Sequence, residues 1–289
     1  MSNDRLPESL EIDLLPTERL VEIIQNEDRK VADAVGRESK QIARAIDAIA
    51  ERLEAGGRLF YVGAGTSGRL AMVDASELPP TYGVPPDLVR VIMAGGTTAF
   101  FSAAEGAEDN DEAAIAEVET LVRPEDAVVG IAASGSTPFT VAAIRKANLL
   151  GALTVGITSV PGSALTRECD IPIAPATGPE VILGSSRMKS GTAQKLVLNT
   201  LSTGVMIRLG KVFSNLMVEM PATNIKLRGR AVLMVQLASG ADRATAETAF
   251  TASGSNVKTA TVMAKLGVGR EEAERRLAEA GGRLREVLG

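Results

Sequence analysis

The chain has 289 residues, of which 45% are hydrophobic, so it can form a large core in one domain or in a domain with an appendage. A formal net charge of -5 and a pI near 5.1 argue against nucleic acid or an anionic membrane as the main partner. No run of about 18 apolar residues lacks charges, and the first residues lack the basic-then-apolar order of a signal peptide. We therefore expect a cytoplasmic protein whose partner is a small molecule.

The chain contains no histidine and a single cysteine, Cys169. An intrachain disulfide and a cysteine zinc cluster are therefore excluded, and the commonest general base and metal ligand is missing. Serine–histidine and cysteine–histidine nucleophile pairs are excluded as well. We predict that Cys169 is a small core residue and that an enzyme of this composition moves protons with carboxylates.

The first part of the chain has helical periodicity, with apolar residues recurring every three or four positions over 16–54. Gly56-Gly57 ends this pattern. Short apolar runs then alternate with helical segments such as 109–123 and 137–150; the runs lie at 58–63, 88–94, 126–133, 152–158 and 171–174. Five strands alternating with helices predict an α/β fold with a doubly wound, five-stranded parallel sheet.

The last third of the chain is helical in pattern. One helix is predicted from Met188 to Leu209, with an apolar face wide enough for a core or an interface. Residues 221–289 show helical segments broken by glycines, with Asp242 as an expected N-cap. We therefore predict an N-terminal helical segment at 1–56, a ligand-binding sheet domain at 57–220 and a small helical domain at 221–289.

The first predicted strand leads into a glycine loop that also carries hydroxyl groups, Gly63-Ala-Gly-Thr-Ser-Gly68. Glycines allow a tight turn and a helix N-terminus whose N–H groups can bind a phosphate. The loop also fits G-x-G-x-x-G, but a dinucleotide site needs an acidic residue at the end of the second strand. The sequence there is Ala94-Gly-Gly-Thr-Thr98. Since Thr66 and Ser67 suit a terminal phosphate better, a phosphate loop is favoured over a dinucleotide site.

A similar loop follows the third predicted strand, Ser134-Gly135-Ser136-Thr137-Pro138. The carboxyl ends of parallel strands meet at one edge of a sheet, so we expect the loops to converge there. These hydroxyl groups could simply cap the next helix, but capping accounts for one of them and not for three beside a glycine. We predict that both loops hold a single phosphate, mostly through neutral donors.

The loop before the long helix provides further candidates. Ser185 or Ser186 could cap that helix, while Arg187 and Lys189 could meet a phosphate or a substrate carboxylate. We therefore add Ser185, Ser186 and Lys189 to the predicted substrate-binding residues.

Two glutamates lie on helices that start from the same predicted sheet edge, Glu77 after the first strand and Glu108 after the second. Either could be an ordinary solvated carboxylate. Two carboxyl groups of different pKa facing one cleft can instead serve as acid and base.

These motifs together resemble the N-acetylmuramic acid 6-phosphate etherases, which have a sugar isomerase (SIS) type fold. The resemblance covers most of the chain and rests on Gly63–Arg69, Asp74–Glu77, Pro79–Gly83, Glu105–Asp109, Ala132–Gly135, Gly184–Lys189, Gly191–Asn199, Gly210–Phe213 and Ala222–Asn224. It implies a parallel sheet between helices, a small helical C-terminal domain and a homodimer. It also implies that no metal and no organic cofactor take part.

The resemblance implies an activity as well: cleavage with water of the lactyl ether of N-acetylmuramic acid 6-phosphate, giving N-acetylglucosamine 6-phosphate and D-lactate. Glu77 matches the family's proton donor and Glu108 its second catalytic glutamate, whereas Glu105 is not the matched residue of its motif. In this scheme the sugar opens to its aldehyde, Glu108 removes the C2 proton, and lactate leaves C3 as Glu77 protonates its oxygen. Water then adds to the unsaturated aldehyde. The two glutamates could exchange roles.

Two other functions remain open at this point. A sugar-phosphate-sensing regulator could use the same serine loops without catalysis, and loss of either glutamate would favour it. An aldose–ketose isomerase could use one glutamate at C2 and would not need the second. Both Glu77 and Glu108 are present, which favours the etherase.

Overall fold

The computed structural model describes residues 5–102 and 104–289, which form two compact units. Of these described residues, the first unit comprises 5–75, 87–102 and 104–203, and the second comprises Ser76–Pro86 and Gly204–Gly289. The second unit thus includes a short segment and a helix end that lie within the predicted 57–220 domain. Among the described residues, no helix has the length and apolar character needed to cross a membrane.

A five-stranded parallel sheet forms the centre of the first unit. Its strands are β1 (Leu59–Gly63), β2 (Val89–Met93), β3 (Ala127–Ile131), β4 (Leu153–Ile157) and β5 (Ile171–Ile173), in the order β2-β1-β3-β4-β5. Strands β1 and β3 are buried at every position, because their continuous apolar sequences are covered on both faces. The predicted fold class is confirmed, and each predicted apolar run contains one strand.

In the described part of the chain up to Arg208, seven α-helices and four short 3₁₀ segments accompany the strands. The predicted helical pattern at 16–54 forms two helices separated after Gly36. The α-helices are α1 (Thr17–Gly36), α2 (Ser39–Glu54), α3 (Gly65–Tyr82), α4 (Asp111–Leu121), α5 (Pro138–Leu149), α6 (Ala164–Glu168) and α7 (Lys189–Arg208); the 3₁₀ segments are Pro7–Ser9, Ile12–Leu14, Thr97–Phe100 and Ala107–Asp109.

Helix α3 continues beyond Glu77, through Pro79 and Pro80. Proline cannot donate a backbone hydrogen bond and commonly ends a helix, although its fixed φ is compatible with helical backbone. The helix ends where Gly83, at φ +62, donates its N–H to the Pro79 carbonyl at 3.0 Å. Glu77 therefore lies inside α3, five residues before its end.

Cys169 is partly buried and packs against the hydrophobic core of the first unit. Burial raises the pKa of its thiol to about 11. At pH 8 this leaves about one thiolate in a thousand, against about one in four for a free cysteine. We expect iodoacetamide to alkylate Cys169 on the order of 100-fold more slowly than free cysteine at pH 8. Mass spectrometry measures this rate, and alkylation as fast as that of free cysteine would contradict the prediction.

The second unit contains a helical core of its own. Asp242 accepts a hydrogen bond from the Thr245 N–H at 2.8 Å, which confirms the predicted N-cap. Lys258 is 6% exposed, and its ammonium pairs with Glu219 at 2.6 Å, so its buried charge is compensated. The helices after the long α7 are α8 (Ile225–Ser239), α9 (Arg243–Ala252), α10 (Val257–Leu266), α11 (Arg270–Glu279) and α12 (Leu284–Leu288).

Candidate functional site

The strand order creates a crevice between β1 and β3. The connection from β1 runs to β2 on one side of the sheet, and the connection from β3 runs to β4 on the other. Ligands of doubly wound sheets bind at such a switch point, outside the carboxyl ends of the strands. Both serine-containing loops predicted from the sequence begin here.

A cavity of about 440 Å³ lies at this switch point, within the first unit. The first turn of α3, the start of α5, the loop before α7, and the acidic pair Glu108 and Asp109 line it. Six of the predicted substrate-binding residues are among its lining residues: Thr66, Ser67, Ser134, Ser136, Thr137 and Ser186. The fold therefore brings together side chains from three separate loops.

Close backbone packing forms the first loop. A Cβ atom on Gly68 would lie 2.8 Å from the Gly63 carbonyl oxygen and 2.9 Å from Met93 Cγ, so no larger residue fits without displacement. Gly65 adopts φ +52, in the left-handed region that glycine favours. The loop can therefore turn directly from β1 into α3, whose first N–H groups lack acceptors inside the helix.

The second loop leaves the proton of Ser134 available. The Ser136 N–H and hydroxyl both donate to Ser134 Oγ, at 3.2 and 3.0 Å. Ser134 can therefore donate its own proton to another acceptor. Thr137 is the N-cap residue of α5, yet its side chain makes no capping hydrogen bond. Helix capping thus does not account for the hydroxyl groups of this loop.

Gly135 is the tightest position of the second loop. It has φ +65, and a Cβ atom there would lie 2.1 Å from Ser163 Oγ and 2.7 Å from Thr158 Oγ1. We expect Gly135→Ala to lower the free energy of unfolding by about 2–5 kcal/mol, from left-handed strain and overpacking combined. Urea unfolding followed by circular dichroism measures the change.

Gly162 provides the control for this substitution. It has φ +71, but a Cβ atom there would have nothing within 4 Å. Gly162→Ala should therefore cost only the backbone strain, about 1–2 kcal/mol. Equal losses in the two variants would show that the contacts around Gly135 do not matter.

The cavity contains two helix N-termini and no basic side chain. Among its described lining residues there is no lysine or arginine, and Glu108 and Asp109 add negative charge. The N-termini of α3 and α5 lie at the cavity, and a helix N-terminus offers free N–H groups and the positive end of the helix dipole to an anion. Hydroxyl donors supplement both helix termini, so the geometry suits a phosphate held by neutral groups.

Glu180 caps α7, a role that sequence reasoning missed. Its carboxylate accepts hydrogen bonds from the backbone N–H groups of Lys189 and Ser190, each at 3.0 Å. Neither Ser185 nor Ser186 is thus needed as the cap. Ser186 lines the cavity and Ser185, although nearby in sequence, does not. The sequence does not identify Glu180 as a cap, because it lies nine residues before Lys189, in an irregular segment, whereas a capping residue is usually adjacent to its helix.

Lys189 occupies a different place from the one expected. It is 1% exposed, and its ammonium pairs with Glu27 on α1 at 2.6 Å instead of lining the cavity. Burial tends to raise the pKa of Glu27, but hydrogen bonds from Lys189 and Lys30 outweigh it, and the net pKa is lowered. The Glu27 carboxylate is therefore ionised at neutral pH, and we assign Lys189 to the buried scaffold of the first unit.

The two candidate glutamates are both exposed. Glu108 lies in the 3₁₀ segment Ala107–Asp109 and lines both the cavity described above and a neighbouring one of about 380 Å³. Arg69 on α3 binds the segment that precedes Glu108 in the chain: its guanidinium donates hydrogen bonds to the carbonyls of Ala99 and Phe100, each at 2.9 Å. Glu77 belongs to the second unit.

Asp74, three residues before Glu77, anchors the middle of α3. It is 4% exposed and accepts hydrogen bonds from Tyr61 Oη at 3.0 Å, Asn199 Nδ2 at 2.6 Å and Ser202 Oγ at 3.0 Å. Burial and the neighbouring Asp74 carboxylate raise the pKa of Tyr61 well above its usual value. This network joins β1, α3 and α7, and it was not recognised from the sequence.

The fold defines a SIS domain. A family model described as the glucokinase regulatory protein N-terminal SIS domain matches residues 41–148. A phosphoheptose isomerase from Francisella tularensis shares 21% identity with a TM-score of 0.52, covering 65% of this chain and 98% of that chain. The enzyme from Neisseria gonorrhoeae shares 18% identity with a TM-score of 0.51, covering 65% and 97%.

Sequence relatives define the family within this class. The N-acetylmuramic acid 6-phosphate etherase of Symbiobacterium thermophilum is 59% identical over 93% of this chain and 89% of its own length. Those of Escherichia coli and Serratia proteamaculans are 51% and 47% identical, over 97% and 100% of this chain and 94% and 97% of their own lengths. The chain belongs to the N-acetylmuramic acid 6-phosphate etherase family.

Proposed function

We propose that this chain is a lyase that cleaves the D-lactyl ether of N-acetylmuramic acid 6-phosphate with water, in the recycling of cell-wall amino sugars. The products are N-acetylglucosamine 6-phosphate and D-lactate. The observation that supports the proposal is the cavity at the β1/β3 switch point, whose lining combines hydroxyl groups and the N-termini of α3 and α5 with Glu108. Identities of 47–59% to etherases over nearly the full chain support the same reaction.

The phosphate binds between the two serine loops. Ser134 donates its free proton, Thr66 and Thr137 add hydroxyl groups, and the N-termini of α3 and α5 supply backbone N–H groups. A phosphate held by neutral donors leaves Glu108 without a competing cation in the cavity lining described above. The carboxylate therefore stays free to exchange a proton with the sugar.

The reaction follows from the acidity of the open-chain sugar. Once the ring opens, the C1 aldehyde acidifies the C2 proton, and Glu108 removes it. The electron pair forms a C2–C3 double bond as the C3–O bond breaks, and Glu77 protonates the departing lactate oxygen. Glu77 then takes a proton from water, whose oxygen adds to C3, while Glu108 returns a proton to C2. Neither metal nor organic cofactor enters this scheme.

Incubation of the purified chain with N-acetylmuramic acid 6-phosphate tests the proposal directly. D-lactate and N-acetylglucosamine 6-phosphate should appear in equal amounts, as measured by a lactate dehydrogenase assay and mass spectrometry. Binding of the sugar phosphate without lactate release would favour a regulator. Interconversion of aldose and ketose phosphates without lactate release would favour an isomerase.

The chain also forms a homodimer in our proposal, and it resides in the cytoplasm. Two adjacent apolar side chains in the first unit, Ile182 and Leu183, are 54% and 52% exposed, as expected for residues covered on association. A phosphorylated sugar does not cross a bilayer unaided, which supports a cytoplasmic site of action. For the homodimer, sedimentation equilibrium should give twice the chain mass, and a monomer mass would contradict it. For the location, cell fractionation should recover the protein with cytoplasmic markers, and recovery in a membrane-bound fraction would contradict it.

A further inference from the structure

Ser67 directs its hydroxyl proton away from a ligand in the cavity. Its Oγ donates to Oε1 of Gln194 at 3.0 Å, joining the first turn of α3 to α7. Both residues are buried, at 7% and 2% exposure, and Ser67 lines the cavity. A hydroxyl group has one proton to donate. In this arrangement Ser67 therefore presents only oxygen lone pairs to a ligand.

That arrangement does not suit a phosphate. A phosphate dianion accepts hydrogen bonds and donates none, so it gains nothing from the lone pairs of Ser67. The other end of the Gln194 amide is mismatched too, because its buried Nε2 has no hydrogen-bond partner among the described residues. A buried donor without an acceptor is destabilising. Both mismatches depend on which end of one amide group faces Ser67.

We infer that Gln194 is a positioning residue for phosphate binding, which rests on the function proposed above. With the amide turned by half a rotation, Nε2 donates to Ser67 Oγ and Ser67 donates its proton to the phosphate. The oxygen and NH₂ ends of an amide are similar in size, so the turn needs no displacement of packed neighbours. One amide thereby converts Ser67 from an acceptor into a donor.

A comparison of three residues at position 194 tests this role. The carboxylate introduced by Gln194→Glu can only accept, so it keeps the Ser67 proton, whereas Gln194→Met leaves that proton free to rotate. Isothermal titration with N-acetylglucosamine 6-phosphate should show that Ser67→Ala weakens binding about tenfold or more in the unmodified chain and in the Gln194→Met background. In the Gln194→Glu background the same Ser67→Ala change should weaken it less than about twofold. The repulsion between the introduced carboxylate and the phosphate cancels in this comparison, because Gln194→Glu and the Gln194→Glu, Ser67→Ala double variant both contain that carboxylate.

A loss from Ser67→Ala in the Gln194→Glu background equal to that in the unmodified chain would overturn the inference. An unmodified chain that binds no sugar phosphate would instead overturn the proposed function, and the inference with it. A second measurement does not require the Gln194→Glu protein to fold. The ¹⁵N side-chain signals of Gln194, assigned by their loss in Gln194→Met, should shift when N-acetylglucosamine 6-phosphate binds and should shift much less in Ser67→Ala. Signals that do not move in the unmodified chain would also overturn the inference.

Discussion

The Glu108→Gln enzyme is expected to release lactate about 100- to 10,000-fold more slowly than the unmodified chain, the range that general acid–base catalysis contributes. Glutamine keeps the shape and exposure of the side chain but cannot accept the C2 proton. Glu108 lines the cavity beside the serine loops, so the phosphate site itself should remain intact. Lactate release under saturating substrate gives kcat, and circular dichroism checks the fold.

Glu105→Gln is the matched control. Glu105 is also an exposed glutamate of the same segment, and it lines the neighbouring cavity but not the one between the serine loops. We expect its kcat to stay within about threefold of the unmodified value, as for a surface charge outside the cavity between the serine loops. Equal losses of kcat in both variants would mean that lactate release depends on the negative charge or structure of the whole segment and not on the Glu108 carboxylate itself.

Deuterium exchange isolates the step assigned to Glu108. In D₂O, the unmodified chain should introduce solvent deuterium at C2 of N-acetylglucosamine 6-phosphate, because the proton that Glu108 removes exchanges with solvent before a deuteron returns to C2. The Glu108→Gln chain should lose this exchange together with lactate release. NMR of the C2 position measures it, and persistent exchange in the variant would rule out Glu108 as the C2 base.

The sheet and the serine loops could be predicted because their signals are local. Each strand is a short apolar run, and the loop after β1 carries its glycines and hydroxyl groups within a few residues. The convergence of these loops follows from the parallel topology alone. The sequence therefore predicts that Thr66, Ser67, Ser134 and Glu108 lie near one edge of the sheet.

Pairings between distant residues could not be predicted in this way. Lys189 adds a positive charge next to the serines before the long helix, which suggested that it binds a phosphate. Its partner Glu27, however, lies 162 positions away on α1. The sequence contains no local sign that these two side chains meet, and burial of the ammonium then requires the carboxylate. The same applies to Asp74, whose partners Tyr61, Asn199 and Ser202 come from two other elements.

The Glu77→Gln enzyme should lose lactate release by a similar factor, about 100- to 10,000-fold, yet keep deuterium exchange at C2, measured on the unreacted N-acetylmuramic acid 6-phosphate. The reason is the separation of roles. Loss of the acid blocks departure of lactate from C3, but Glu108 can still remove and return the C2 proton of the open-chain sugar. The two assays on the two variants therefore form a pattern: both activities are lost without Glu108, and only lactate release is lost without Glu77.

The pattern also decides between the two possible assignments. If Glu77→Gln abolished exchange while Glu108→Gln preserved it, the acid and base roles would be reversed. If Glu77→Gln retained lactate release at the rate of the Glu105→Gln control, Glu77 would be an ordinary solvated glutamate of α3. Glu77 is exposed and lies between the two ends of α3, and an ordinary solvated glutamate would have the same placement. Only exchange and lactate release, measured on the same protein, distinguish a catalytic Glu77 from such a residue.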